Sequence, residues 1–370
     1  MGIDRVLMLG LILVANAAAL WAEPYIAFRE GYKCSACHLN RTGGGMRNDF
    51  GSLFTQTDIT PLMEKASEQA MDFSPQVGSS ITIGADFMAV HEALFSVDEE
   101  LDGQSYEQDS STTFDIRSGN IYVEANLIPD RLSLYIDETV TPGGASSREA
   151  FMLMRGLPYE GYLKAGRMLL PYGIRVWDDE TFTRQVTGFN YDNQDMGIEF
   201  GFEPQNLFLA VALSNGTQGG RDNDNDKQIS SVASVYLKNA VVGGSFARNK
   251  FQGIERTAYG PYASVRLGAI TVFGEVDWVQ DSGTLEQDQF IAFGSLNYWH
   301  RESVNMRVTF DFLDPYDGVE EDESSRATVS AHAFLTPYLQ ASAAYKLKDS
   351  VPQDRRGNAD ALTVALHSFF

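Results

Sequence analysis

From Val77 to the C-terminus the chain alternates apolar and polar residues at period two, segment after segment, with almost no helical periodicity. Asn305–Phe312 sets Met306, Val308, Phe310 and Phe312 on one face and Asn305, Arg307, Thr309 and Asp311 on the other. In Leu339–Lys348, the residues Leu339, Ala341, Ala343, Tyr345 and Leu347 oppose Gln340, Ser342, Ala344, Lys346 and Lys348. Leu362, Val364, Leu366 and Phe370 continue the apolar row in the last segment. Hydrocarbon on one face and charge on the other fits lipid outside and a wet lumen inside. A single such strand fits a soluble sandwich equally well.

The connections decide between them. Tight turns fall at Pro129-Asp130, Pro158-Tyr159-Glu160, Pro204-Gln205, Lys238-Asn239, Leu267-Gly268, Arg301-Glu302 and Thr336-Pro337. Longer polar loops are expected near 95–112, 140–147, 173–194, 216–227, 251–257, 280–287, 314–325 and 349–357. Seven short turns alternate with eight long loops and so join sixteen strands, with both ends of the barrel on the short-turn side. The expected fold class is all-β: a transmembrane antiparallel β-barrel of about 16 strands over 77–370. A terminal aromatic such as Phe370 resembles the assembly signal of such barrels.

Residues 1–22 read as a signal peptide, with Arg5 ahead of an apolar stretch and small residues before Glu23. Beyond it the longest purely apolar run is Leu207–Leu213, too short for a membrane-spanning helix. The balance of 28 Lys plus Arg against 50 Asp plus Glu, net −22, excludes a nucleic-acid partner. Fifteen acidic residues sit in 95–112, 216–227 and 314–324 against only Arg221 and Lys227, which would make the outer face attractive to cations. Glu124, Asp137, Glu275, Asp277, Arg307 and Asp311 are expected to face the lumen, as are His332 and His367. There is no G-x-S-x-G, H-E-x-x-H or P-loop pattern to support hydrolytic chemistry.

Both cysteines of the chain lie in Cys34-Ser35-Ala36-Cys37-His38. C-x-x-C-H is the attachment signature of c-type haem: two thiols add to the porphyrin vinyl groups and the histidine reaches the iron from the same side. A zinc pair would need further ligands nearby, and the next histidine is His91. Cys34 and Cys37 are thus the expected covalent attachments of one haem c, and His38 its proximal axial ligand. Met46, Met63 and Met71 are the nearby distal candidates. Met46 is favoured because Gly43-Gly44-Gly45 allows a tight path over the porphyrin. The chain then divides into a signal peptide (1–22), a monohaem cytochrome c-like segment (23–76) and the barrel (77–370).

A single C-x-x-C-H motif ahead of a porin-like barrel resembles the fused outer-membrane monohaem cytochrome–porins, including those of iron-oxidising bacteria. The residues that carry this are Pro24-Tyr25-Ile26-Ala27-Phe28-Arg29, the haem motif, Arg47-Asn48-Asp49-Phe50-Gly51 and Phe370. The resemblance implies that the haem segment plugs the lumen and that electrons cross the outer membrane of a Gram-negative bacterium through the protein, both termini being periplasmic. Its implied partners are outer-membrane lipid, periplasmic cytochromes or other redox carriers, and external Fe(II) or another electron donor or acceptor. An Fe(II)-oxidising activity would follow from the same family. Two other functions fit the sequence: a diffusive porin whose haem segment is a gate or docking head, and a barrel sleeve for a separate multihaem cytochrome.

Overall fold

The computed structural model describes residues 24–59, 61–63, 74–101, 103–176, 178, 180–222, 224–251, 253–283 and 286–370. The expected signal peptide and Met71 lie outside them. Sixteen antiparallel strands form the wall: β1 (Ile81–Leu94), β2 (Ser111–Ile128), β3 (Leu132–Thr141), β4 (Gly144–Leu157), β5 (Gly161–Met168), β6 (Asp195–Phe202), β7 (Leu207–Ser214) and β8 (Gln228–Leu237), followed by β9 (Ala240–Phe251), β10 (Ile254–Leu267), β11 (Ile270–Ser282), β12 (Gln287–Arg301), β13 (Val304–Asp314), β14 (Ser324–Thr336), β15 (Leu339–Asp349) and β16 (Ala361–Phe369). Each pairs with its sequence neighbours, and β16 pairs with β1 from Ala361↔Leu94 to Phe369↔Asp86, which closes the barrel and leaves no open edge. A two-residue strand, Gln76–Val77, adds to the start of β1, and a hairpin of Val97–Leu101 with Gln104–Gln108 stands on the β1–β2 loop.

Alternation sorts the side chains as the sequence requires. Phe200, Val242, Phe310 and Leu366 are each about half exposed on the outer surface, and they belong to a belt of apolar side chains around the wall. Hydrocarbon in that quantity on the outside of a closed barrel is a lipid-facing surface. No helix among the described residues is long and apolar enough to cross a membrane. Glu124, Asp137, Glu275, Asp277, Arg307 and Asp311 all turn inward and are buried, as are His332 and His367.

Two of the expected long loops are tight. The β3–β4 pairing runs to Thr141↔Gly144 and the β9–β10 pairing to Phe251↔Ile254. Polar residues at 140–147 and 251–257 read as loop, yet strands that extend beyond the lipid need no apolar face. Arg248 and Glu255 face each other there in a bidentate pair, with both N···O distances 2.8 Å. The loop at 173–194 departs from expectation in another way: it folds into the lumen. This strap, residues 169–194, carries the short helix α4 (Phe182–Thr187) and crosses to the far wall. Tyr172 Oη donates to Asp277 (2.7 Å), Ile174 N to Glu275 (2.9 Å), and Arg326 and Lys346 reach Glu180 at 3.3 and 2.6 Å.

The short-turn half of the lumen is filled by the N-terminal segment, with helices α1 (Tyr25–Glu30), α2 (Cys34–Cys37) and α3 (Asp49–Thr57). Its Tyr25, Leu39 and Met46 join one buried apolar cluster with Phe208, Ala210, Ala212 and Val232 of β7 and β8. This accounts for the apolar run Leu207–Leu213: β7 faces lipid with Leu207, Leu209, Val211 and Leu213 and the plug with the residues between. Polar anchors fix the plug in place. Asn40 Nδ2 donates to Glu149 (3.0 Å) and Asn40 Oδ1 accepts from Lys164 Nζ (3.1 Å), which also pairs with Glu199 (2.9 Å). Arg41 pairs with Glu203 at 2.7 Å, and Arg29 lies over the Trp299 ring at 4.4 Å.

Candidate functional site

The segment around the two cysteines is built from tight local devices. α2 is a single turn, after which His38 is extended and forms an antiparallel bridge with Arg47. Leu39 N donates to Met46 O at 3.1 Å in the same pairing. Asn48 clips the two ends together. Its Oδ1 accepts from Gly51 N (2.9 Å) and so caps α3, while its Nδ2 donates to the Ala36 carbonyl (2.9 Å) at the end of α2. The helices meet so closely at Gly51 that a Cβ there would run into the Cys37 carbonyl.

Gly43, Gly44 and Gly45 all have positive φ (95°, 82° and 65°). They thread a gap that no side chain would fit. A Cβ would lie 3.3 Å from Cys34 Sγ at 43, 2.8 Å from the Tyr191 ring at 44 and 2.6 Å from Tyr135 Oη at 45. These elements enclose a lumen cavity of about 1020 Å³, part of it open to solvent. Cys34, Cys37 and His38 all line it. The wall adds Asp86 and Tyr122, and the strap closes it with Arg175 and Tyr191.

Burial governs the chemistry of this cavity. It holds the His38 imidazole down to about 4, helped by the Arg47 charge and partly offset by hydrogen bonding of the ring to the Gly45 and Met46 backbone carbonyls. The ring is therefore neutral at ordinary pH, and its Nδ1 is buried with no hydrogen-bond partner. Burial likewise pushes the Cys34 thiol up to about 11, against the pull of Arg175, and raises Cys37. Both sulfurs stay protonated.

The structure brings Cys34, Cys37 and His38 to one cavity, which Met46 does not line. Because 38 pairs with 47, the side chains of 38 and 47 share one face and those of 39 and 46 take the other. Met46 is buried at 2 % exposure in a second cavity with Leu39, away from the one that His38 lines. Met63 is half exposed and lines neither. Phe370 also lines the His38 cavity, its backbone hydrogen bonded to Ala85, whereas the sequence sets it with the lipid-facing row. Sequence reasoning missed Arg175 and Tyr191, whose only local signal was a polar loop. Arg47 stood in plain sight two residues past the glycines, but nothing local tells which face it takes until its pairing is known.

No family model matches the chain, and no curated protein matches it. Solved structures do. It resembles OmpT of Vibrio cholerae with a TM-score of 0.60 at 9 % identity, over 80 % of this chain and 100 % of that one. The anion-selective porin of Comamonas acidovorans matches at 0.59 and 10 %, over 79 % and 99 %. Salmonella typhi OmpF, solved with daunomycin, matches at 0.55 and 11 %, over 79 % and 98 %. Identities this low speak for the fold alone. With its closed sixteen-strand wall and apolar belt, the chain has the β-barrel fold of these outer-membrane porins.

Proposed function

We propose that the protein is an outer-membrane electron conduit, passing electrons between the outside and the periplasm through one c-type haem held in the lumen. The observation that carries this reading is the cavity where Cys34, Cys37 and His38 converge inside a membrane-spanning barrel. The donor set fits the group. Two protonated thiols one helical turn apart suit addition to two vinyl groups, and a neutral imidazole with a buried, unpartnered nitrogen suits iron ligation. The glycine cradle leaves room that any Cβ would take, and Arg47 and Arg175 suit a group with carboxylates on its rim.

Cys34 and Cys37 would hold the haem covalently and His38 would bind its iron. Bound there, the haem supplies a one-electron couple. The chain does the rest. The plug seats the site in the lumen, the Asn48 clip fixes the angle between α2 and α3, and the strap limits water from the outer side. A periplasmic carrier would meet the plug face, and external Fe(II) or another donor or acceptor the outer face. A diffusive porin is the second reading, favoured by the kinship of fold with porins. A plug tied to both walls by buried charge weighs against it, and leaves little lumen for a separate multihaem cytochrome.

Purified protein should keep its haem colour on a denaturing gel, and Cys37→Ala should lose most of it. In liposomes holding an oxidised dye, external dithionite should bleach the dye through wild type. It should not do so through a His38→Ala variant that still shows the heat-modifiable migration of a folded barrel. Equal bleaching by both means that reductant passes through an open pore, and the diffusive reading wins.

A further inference from the structure

On the other side of the strap lies a second cavity of about 990 Å³, open in part, between strap residues 185–193 and strands β8 to β12. Seven of its lining side chains are amides, among them Gln185, Asn249, Gln287 and Gln289. We propose that this vestibule binds a small, uncharged, hydroxyl-rich solute of the size of a mono- or disaccharide.

Charge limits what this cavity can hold. The chain carries a net charge of −22, yet this cavity presents almost no uncommitted charge. Asp195, at 1 % exposure, spends its carboxylate on Gly216 N (2.5 Å), Gly219 N (3.2 Å) and Thr217 Oγ1 (3.3 Å). Asp281 is paired with Arg256 at 3.5 Å. No grouping of three or more His, Cys, Asp or Glu suited to a metal ion occurs among the described residues. A charged ligand therefore finds no counter-ion here that is not already engaged.

Hydrogen bonding points to the ligand class. Asn249 Nδ2 is anchored on the Gly216 carbonyl (2.9 Å), which leaves Asn249 Oδ1 buried without a donor. Asp281 Oδ1 is likewise buried without a donor, and Arg256 Nε without an acceptor, although Arg256 Nη2 donates to Val186 O (2.6 Å). The wall thus offers donors and acceptors side by side, and amides add both kinds again. A hydroxyl is the group that donates and accepts at once, so a polyol satisfies a mixed set that a carboxylate or an ammonium satisfies only by half. Phe189 adds an apolar surface, held flat by stacking on Tyr172 (4.4 Å between centroids, 7° between planes). Amides around a braced ring suit the polar rim and apolar face of a pyranose.

The test is calorimetric titration of the full-length holoprotein in detergent with glucose, sucrose, gluconate and spermidine. At least one neutral sugar should give saturable heat and bind at least tenfold more tightly than either charged probe. Asn249→Leu and Gln289→Leu should each weaken that binding at least tenfold, while Ser325→Ala, in a different cavity, should leave it unchanged. Gln289→Leu keeps the Asn249–Gly216 anchor and serves if Asn249→Leu fails to fold. Absence of saturable heat with both sugars overturns the proposal, as does tighter binding of gluconate or spermidine. Wild-type affinity in both leucine variants overturns it too. None of these readouts depends on haem, so the outcome is independent of the electron-conduit reading.

Discussion

Two stretches of chain fill this lumen, and they are held by different mixtures of apolar contact and charge. The plug leans on β7 and β8 through Phe208, Ala210, Ala212 and Val232, a wall arc that is apolar on its inner face because the plug is there. The strap packs Leu170, Ile174 and Val176 at its near end, and its far part is moored across the lumen by charge, with Asp178 and Glu180 set against Arg326 and Lys346 on β14 and β15. Apolar contact does not fade with pH or salt, whereas ion pairs do. The comparison assigns the plug to permanent structure and the strap to the part whose seating depends on conditions. The haem site proposed above would lie on the first kind of support, where its ligands are held in place.

The sharpest test of this contrast attacks a buried charge pair on which the plug is anchored. Lys164 and Glu199 both have 0 % side-chain exposure, 2.9 Å apart, with Tyr162 Oη donating to Glu199 at 2.7 Å and Asn40 accepting from Lys164. Lys164→Ala leaves the buried Glu199 carboxylate without its counter-charge and should cost about 3–5 kcal/mol. A urea titration in detergent should show it, together with faster proteolysis of the plug. The volume-keeping pair Lys164→Met with Glu199→Leu should recover most of that loss, since a buried ion pair is often no better than a good apolar fit. If Lys164→Ala matches wild type, the plug is not seated through this pair.

How much of this was legible in the sequence follows the same divide. The wall was readable because lipid and water impose period two on every strand, and the turns carry their own proline and glycine chemistry. The Cys-x-x-Cys-His spacing stands out in the sequence on its own, and the structure sets its three side chains around one cavity. The side Met46 faces was not readable, since the hairpin register that pairs 38 with 47 depends on three left-handed glycines acting together. Nor was the strap: its mooring partners lie more than a hundred residues away on β11, β14 and β15, and local pattern carries no trace of such pairings. Gly51 sits between these cases, quoted in a motif yet explained only by the contact of α3 with α2. Gly51→Ala should push the two helices apart at the Cys37 carbonyl and cost about 1–3 kcal/mol. Lowered haem incorporation in cells, read as haem absorbance per barrel, should accompany the loss. Full incorporation with unchanged stability would mean that the contact is slack.

The smallest effect expected is the most selective for the strap. Burial acts to raise the Asp178 carboxyl, but Arg326 and Lys346 outweigh it and hold it well below the usual carboxylate range. Glu180 is lowered in the same way, with Lys346 the main opponent of burial. A carboxylate lowered in the folded state contributes stability that is fully present above its unfolded value and lost as pH falls through the folded one. With unfolded values of about 3.9 for Asp and about 4.3 for Glu, the mooring should be constant from neutral pH to about 5 and weaken progressively below about 4. Both side chains are partly exposed, at 20 % and 29 %, so the loss should be only about 1 kcal/mol for the strap as a unit. Hydrogen exchange of the peptide covering α4, corrected for intrinsic rates, should speed up on acidification while plug amides in α3 keep their protection. Arg326→Gln at neutral pH should imitate the acid effect on α4 by removing the partner instead of the charge. Equal loosening of α3 and α4 in acid would erase the distinction between plug and strap.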